Sequence, residues 1–223
     1  MLTTYKPEVF ENLDTFESAR EQLEDKKDLL PELGDVIRRH GLNQQIGISL
    51  LHKHFDLTHE ERLVEEFADN HAYIKPSTDC NDSLPYMWKL EQDEQSGERL
   101  WVPLEFVDSM ATAATTVEQA TVVANNPLFL KELAEKLSDL NVADLFGFSV
   151  LHRDEIHVAA GNILVESTDE DARVLTFSAL PREKVDPTTL TQTLWKFPTN
   201  GGVECVSDCD HCTHCTHCTH CDH

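Results

Sequence analysis

Basic residues are scarce in this chain: 18 Lys and Arg stand against 41 Asp and Glu, a formal net charge of −23 over 223 residues. Such a chain repels phosphate backbones and anionic membrane surfaces, and no basic stripe offsets this locally, so neither nucleic acid nor membrane is an expected partner. Long apolar runs are also missing, and nothing approaches the ~18 consecutive apolar residues of a membrane helix. The N-terminus reaches Glu8, Glu11 and Asp14 without the apolar core of a secretory signal, and its acidity argues against a mitochondrial presequence. The expected location is cytoplasmic, a reducing compartment where clustered cysteines bind metal more often than they form disulfides. There is no Gly-rich phosphate loop, no Gly-x-Ser-x-Gly elbow and no His-Glu-x-x-His, and no catalytic residue is singled out. The balance leans away from an enzyme.

Hydrophobic residues make up 40% of the chain, enough for a folded body. Val9, Phe10, Leu13, Phe16 and Leu23 recur at helical spacing and predict an N-terminal helix within 1–28. A second helix is expected over about Glu32 to His40, with Pro31 in its first turn and Gly41 just past its end. The β-branched and apolar run from Ile46 to Leu57 reads as a strand.

A hundred residues later the pattern returns. Ile46-Gly-Ile-Ser-Leu-Leu-His-Lys53 lies opposite Phe146-Gly-Phe-Ser-Val-Leu-His-Arg153, and Gly41 opposite Asn141. At slightly larger offsets Leu63-Val-Glu65 recurs as Leu164-Val-Glu166, and Trp88-Lys-Leu90 as Trp195-Lys-Phe197. The colinear series predicts a tandem duplication. Asn126-Pro127 suits a helix start, Tyr86 to Glu91 and Arg99 to Phe106 suit a hairpin, and Arg173 to Leu180 a strand. The expected fold is α+β: a pseudo-symmetric body of helix-plus-antiparallel-strand units with a flexible tail. Its expected divisions are 1–28, a first repeat over 29–107, a connecting segment over 108–128, a second repeat over 129–199, and a tail over 200–223.

Six of the seven cysteines fall in the last nineteen residues. Cys205, Cys209, Cys212, Cys215, Cys218 and Cys221 alternate there with His211, His214, His217, His220 and His223. Thiolates are soft ligands and imidazoles borderline ones, so the set suits zinc or copper(I), with several ions possible. Cys-x-x-Cys spacing runs unbroken from Cys209 to Cys221 and offers each ion alternative ligand sets. Discrete zinc fingers need a folding segment between ligand pairs, haem attachment needs Cys-x-x-Cys-His, and the interleaved histidines disfavour an iron–sulfur cluster. Gly201-Gly202 supplies a joint to the body.

In the body, His52, His54 and Asp56 alternate, and two histidines with a carboxylate can hold iron or zinc. His152 repeats His52, but Asp154 and Ile156 replace His54 and Asp56. The simpler expectation places His52 and His152 at strand ends, with their rings hydrogen-bonded to backbone. Cys80 sits among acidic neighbours that blunt a thiol.

The run Gly47-Ile-Ser-Leu-Leu-His-Lys-His-Phe55 resembles a group of uncharacterised fungal proteins that carry Gly-Ile-x-Leu-Leu-His-x-His-Phe, some of them ending in Cys/His-rich segments. The resemblance implies a fungal source and no activity. The expected function is binding of zinc or copper(I) for storage, buffering or delivery to a metal-receiving protein. The alternatives are an enzyme with its site between the repeats near His52 and His152, and a scaffold whose tail joins chains through shared metal.

Overall fold

A computed structural model describes residues 1–79, 82–93, 96–108 and 114–210. The helices are α1 (Pro7–Glu11), α2 (Phe16–Lys26), α3 (Leu30–Arg39), α4 (Ala114–Ala124) and α5 (Pro127–Asp139). The strands are β1 (Ile46–Leu50), β2 (Arg62–Ala68), β3 (His71–Ser77), β4 (Ser83–Gln92), β5 (Arg99–Asp108), β6 (Phe146–Val150), β7 (Asn162–Asp169), β8 (Val174–Pro181), β9 (Leu190–Lys196) and β10 (Glu204–Asp210). Among the described residues no helix is long and apolar enough to cross a membrane.

Every residue of β1 and β6 is buried: one face of each strand is large and apolar, the other carries glycine and serine, and both faces are covered. They pair antiparallel about Ile48 and Phe148, and on the inner side Ser49 Oγ and Ser149 Oγ meet at 2.5 Å. A side chain at Gly47 or Gly147 would strike the carbonyl of Trp195 or Trp88 on the adjoining strand, which explains the glycine in each run. Trp88 stacks on Phe148 with ring centroids 4.8 Å apart, and Trp195 meets Phe146 edge-on at 5.9 Å.

The ten strands close in the order β1-β6-β4-β5-β2-β3-β8-β7-β10-β9 and back to β1. Closure leaves no edge exposed. Each pairing within the first five strands has a counterpart in the second five. β4 with β5 matches β9 with β10, and β2 with β3 matches β7 with β8. Parallel β2 with β5 matches parallel β7 with β10, and β4 with β6 matches β9 with β1. Four pairings join the halves: β1 with β6, β3 with β8, and the matched pair β4 with β6 and β9 with β1. The sheet is therefore mixed, where an antiparallel one was expected. The helix ends preceding β1 and β6 also agree: Gly41 and Asn141 both have positive φ (67° and 55°), and Leu42 N and Val142 N close on Ile37 O and Leu137 O.

Two boundaries differ from expectation. The N-terminal helix is split, because α1 stops at Asn12 and Thr15 caps α2 by accepting from Ser18 N at 3.4 Å. The strand expected over 46–57 ends at Leu50. Beyond it Lys53 N bonds Asp14 O, so the N-terminal helices hold the segment bearing His52 and His54. The connecting segment contains α4.

The largest change concerns the tail. Residues 204–210 form β10, set between β7 and β9, with Cys209 fully buried. The signal was faint because this strand carries Val206 as its lone aliphatic residue and draws its stability from ladder hydrogen bonds and a buried thiol. Residues 211–223, and Cys80, lie outside the described residues.

A chain ending at Asp210 should keep the native thermal midpoint to within a few degrees. One ending at Gly202 deletes a barrel strand and exposes the edges of β7 and β9. Its midpoint should fall by on the order of ten degrees or more, or cooperative melting should vanish. Circular dichroism melts of both chains check this, and unchanged melting of the shorter one would contradict the barrel.

Candidate metal centre

His52 and His54 follow the end of β1, Glu166 lies mid-strand in β7 and Cys209 sits in β10. Their ligating atoms all fall within 4.8 Å of one another. His54 Nε2 is the hub, at 2.9 Å from Glu166 Oε1, 3.1 Å from His52 Nε2 and 3.8 Å from Cys209 Sγ. A tetrahedral ion with bonds of ~2.0–2.3 Å has ligand–ligand edges of about 3.3–3.7 Å, so small adjustments suffice to gather these four atoms round one.

The tautomer of His52 supports the same arrangement. Its Nδ1 lies 3.0 Å from Leu50 O, and a carbonyl can only accept, so Nδ1 carries the proton and the Nε2 lone pair faces the cluster. Metal-ligating histidines are characteristically held this way. Burial, with a lesser push from His54, lowers the His52 pKa to about 4 and keeps the ring neutral. Phe16 stacks on His54 at 5.5 Å and meets His52 edge-on at 5.1 Å, forming an apolar wall. Burial alone would raise the Glu166 pKa, but hydrogen bonding and charge at His54 outweigh it and the carboxyl stays below its usual range. Burial, with the nearby Glu166 charge, pushes the Cys209 thiol far above its usual range. One imidazole N–H thus stands among a carboxylate, a lone pair and a thiol, where a divalent cation would satisfy all four groups.

Asp56 takes no part. The chain turns after Leu50, and Asp56 faces solvent with Lys53 Nζ at 2.8 Å, so Glu166 supplies the carboxylate expected from it. Of the expected tail ligands, Cys209 alone among the described residues joins the cluster. Cys205 lines a separate cleft of about 450 Å³ with Asp208 and Arg182, and burial with the Asp208 charge pushes its thiol up to about 12.

Across the barrel interior lies a second buried constellation. His152 repeats the backbone bond of His52, with Nδ1 at 2.9 Å from Val150 O, as the strand-end reading expected of both rings. Its Nε2 faces Glu65 Oε2, while Arg153 Nε donates to Glu65 Oε1 at 2.6 Å and Arg153 also donates to Tyr86 Oη at 3.2 Å. Tyr86 in turn donates to Glu105. Burial would raise the Glu65 pKa, but Arg153 and His152 override it and hold the carboxyl at about 2. Glu105 is lifted by burial to about 7, against the pull of Tyr86 and Arg153. Both constellations border one internal cavity of about 40 Å³, lined by His52, His54 and Glu166 on one side and Glu105 and Arg153 on the other.

Glu166 was missed as a ligand although Leu164-Val-Glu166 was visible as the recurrence of Leu63-Val-Glu65. A carboxylate inside Ile163-Leu-Val-Glu166 is the signal, since a buried charge needs a partner. No family model, curated protein or solved structure matches the chain.

The raised pKa of Glu105 fixes a pH dependence. Its folded value (about 7) exceeds the unfolded one (4.5), so folding takes up a proton between them. This group's contribution is fully present below pH ~4.5 and declines as pH rises through ~7. Glu105→Gln should therefore flatten the fall in stability between pH 5 and pH 8, measured by urea denaturation. An unchanged slope would place the titration elsewhere.

Proposed function

We propose that this chain binds a transition metal, with zinc the best fit, at His52, His54, Glu166 and Cys209 inside the barrel. The observation that carries the reading is the convergence of four different ligand atoms from three remote segments within 4.8 Å. Two nitrogens, one oxygen and one sulfur form a borderline set. Copper(I) prefers softer ligands than a carboxylate, whereas zinc accepts all three types. The eleven Cys and His residues of the C-terminal region widen the metal-handling capacity and suit either ion. The role that follows is storage, buffering or delivery of metal. A negative charge of 23 on the chain raises the local cation concentration.

A tandem duplication accounts for the matched pairings and for the offset of 100 between β1 and β6. On that reading the two buried constellations are divergent copies of one original, each joining a histidine of one half to a glutamate of the other.

An enzyme with its site between the halves is the second reading, favoured by one observation: Glu105, with a pKa near neutrality, borders the same cavity as the ligand cluster. The cavity of about 40 Å³ has room for about three waters.

The chain ending at Asp210 should retain close to one zinc per molecule after dialysis, measured by elemental analysis. His54→Ala and Cys209→Ser should each weaken that binding by about a hundredfold or more, as loss of a ligand in a four-ligand site does. Zinc retention indifferent to both substitutions would refute the barrel site.

A further inference from the structure

The cleft of about 450 Å³ lies on the outer side of β7, β9 and β10 and shares no residue with the metal cluster. We propose that it binds a free α-amino acid with an apolar side chain, Arg182 taking the carboxylate and Asp208 the ammonium group. The proposal is independent of the barrel metal site.

The two halves of the barrel differ at this place. In the ladders with the tryptophan strands, Phe106 pairs three residues before Trp88 and Asp208 three residues before Trp195, so the two hold matching positions. Phe106 is covered by the N-terminal segment. Leu2 bridges Trp101, the Tyr5 ring meets Phe106 edge-on at 5.9 Å, and the Arg62 guanidinium lies 5.3 Å from the centre of each ring. Arg62 and Ile163 match in turn, each preceding a Leu-Val-Glu run. Both counterparts, Asp208 and Ile163, line the cleft, so the seat that Tyr5 fills in the first half is open space in the second.

That space carries charge of both signs. Arg153 is spent on Glu65, and Lys196 on Glu204 at 3.1 Å. Arg182 is exposed, and its side chain makes no hydrogen bond or ion pair among the described residues. Its backbone is anchored, with Arg182 N on Gly161 O at 3.1 Å. Asp208 is buried with the Cys205 thiol as its hydrogen-bond partner and has no cation at ion-pair distance among the described residues, although the Arg182 charge reaches it. A guanidinium fork matches a carboxylate, and a carboxylate matches an ammonium group. A simple anion or cation would answer one of these groups and face the like charge of the other, whereas a zwitterion answers both. Leu151, Ile156, Ile163 and Val206 add an apolar wall for a side chain, and the volume lies in the range of small-ligand pockets.

Isothermal titration of the full chain near neutral pH tests this, with EDTA present so that bound metal cannot chelate the amino acid. The probes are L-phenylalanine, phenethylamine, which lacks the carboxylate, and 3-phenylpropionate, which lacks the ammonium group. Phenylalanine should bind on the order of tenfold or more tightly than either of the others. Arg182→Gln should erase its advantage over phenethylamine, and Asp208→Asn its advantage over 3-phenylpropionate. No binding of phenylalanine up to ~10 mM, or equal binding of the three compounds, overturns the proposal. So does an advantage that survives both substitutions. The comparison of the three compounds on the unaltered chain decides the matter even where a substitution perturbs folding.

Discussion

Charge enclosed by a closed sheet must be compensated inside that sheet, and three glutamates, Glu65, Glu105 and Glu166, border this interior. Each is handled differently. Glu65 has Arg153 and His152 and stays ionised. Glu105 has a tyrosine hydroxyl and a raised pKa, so it escapes much of the penalty by taking up a proton. Glu166 has one imidazole N–H, a second ring with its lone pair turned inward, and a thiol. Removing a buried carboxylate from water costs several kcal/mol before compensation, so the groups round Glu166 are the least settled part of the interior.

The contrast between halves follows from one pair of residues. Arg153 reaches inward to Glu65 and lies 3.7 Å over the Phe177 ring, whereas Lys53, at the matching position, reaches outward to Glu11 O and Asp56. One half therefore carries its own fixed cation. In the other the lysine is drawn to the surface by the α1–α2 clamp, and a second histidine and a cysteine stand near the glutamate. A guanidinium with five donors fits a carboxylate and a tyrosine, while a lysine ammonium at Glu166 would have met two imidazoles and a thiol that offer it little. The substitution of residue type and the change of direction belong together.

Much of the fold was legible in the sequence because similar runs recur about a hundred residues apart. The Ile-Gly-Ile-Ser-Leu and Phe-Gly-Phe-Ser-Val runs, the Gly41 and Asn141 helix ends and the two tryptophan strands all occupy matching places. Barrel closure was not legible, because parallel contacts between β2 and β5, and between β7 and β10, join segments with no local signal for each other. β10 was hidden by composition: Glu-Cys-Val-Ser-Asp-Cys-Asp has the polarity of a tail, and its inclusion depends on the unpaired edges waiting at β7 and β9. The site was half legible. His52 and His54 were identified by spacing, but the carboxylate came from a strand more than a hundred residues away, a pairing that only the closed register determines.

The same register shows why β10 couples fold to site. Cys209 lies opposite Glu166 in the parallel ladder with β7 and opposite Thr191 in the antiparallel ladder with β9. Its sulfur is therefore positioned by backbone bonds on both sides and needs no loop to carry it. Just upstream the ladder with β9 shifts register twice, at Val206 of β10 between Cys205 and Ser207 and at Thr193 of β9 between Ser207 and Asp208. These shifts let Cys205 and Asp208 line the outer cleft while Ser207 lines the inner cavity and Cys209 meets the histidines. Without them, strict alternation would send Cys205 and Cys209 to the same face as Ser207. The register shifts in this ladder therefore separate Cys205 from Cys209, leaving a single sulfur of the two at the cluster.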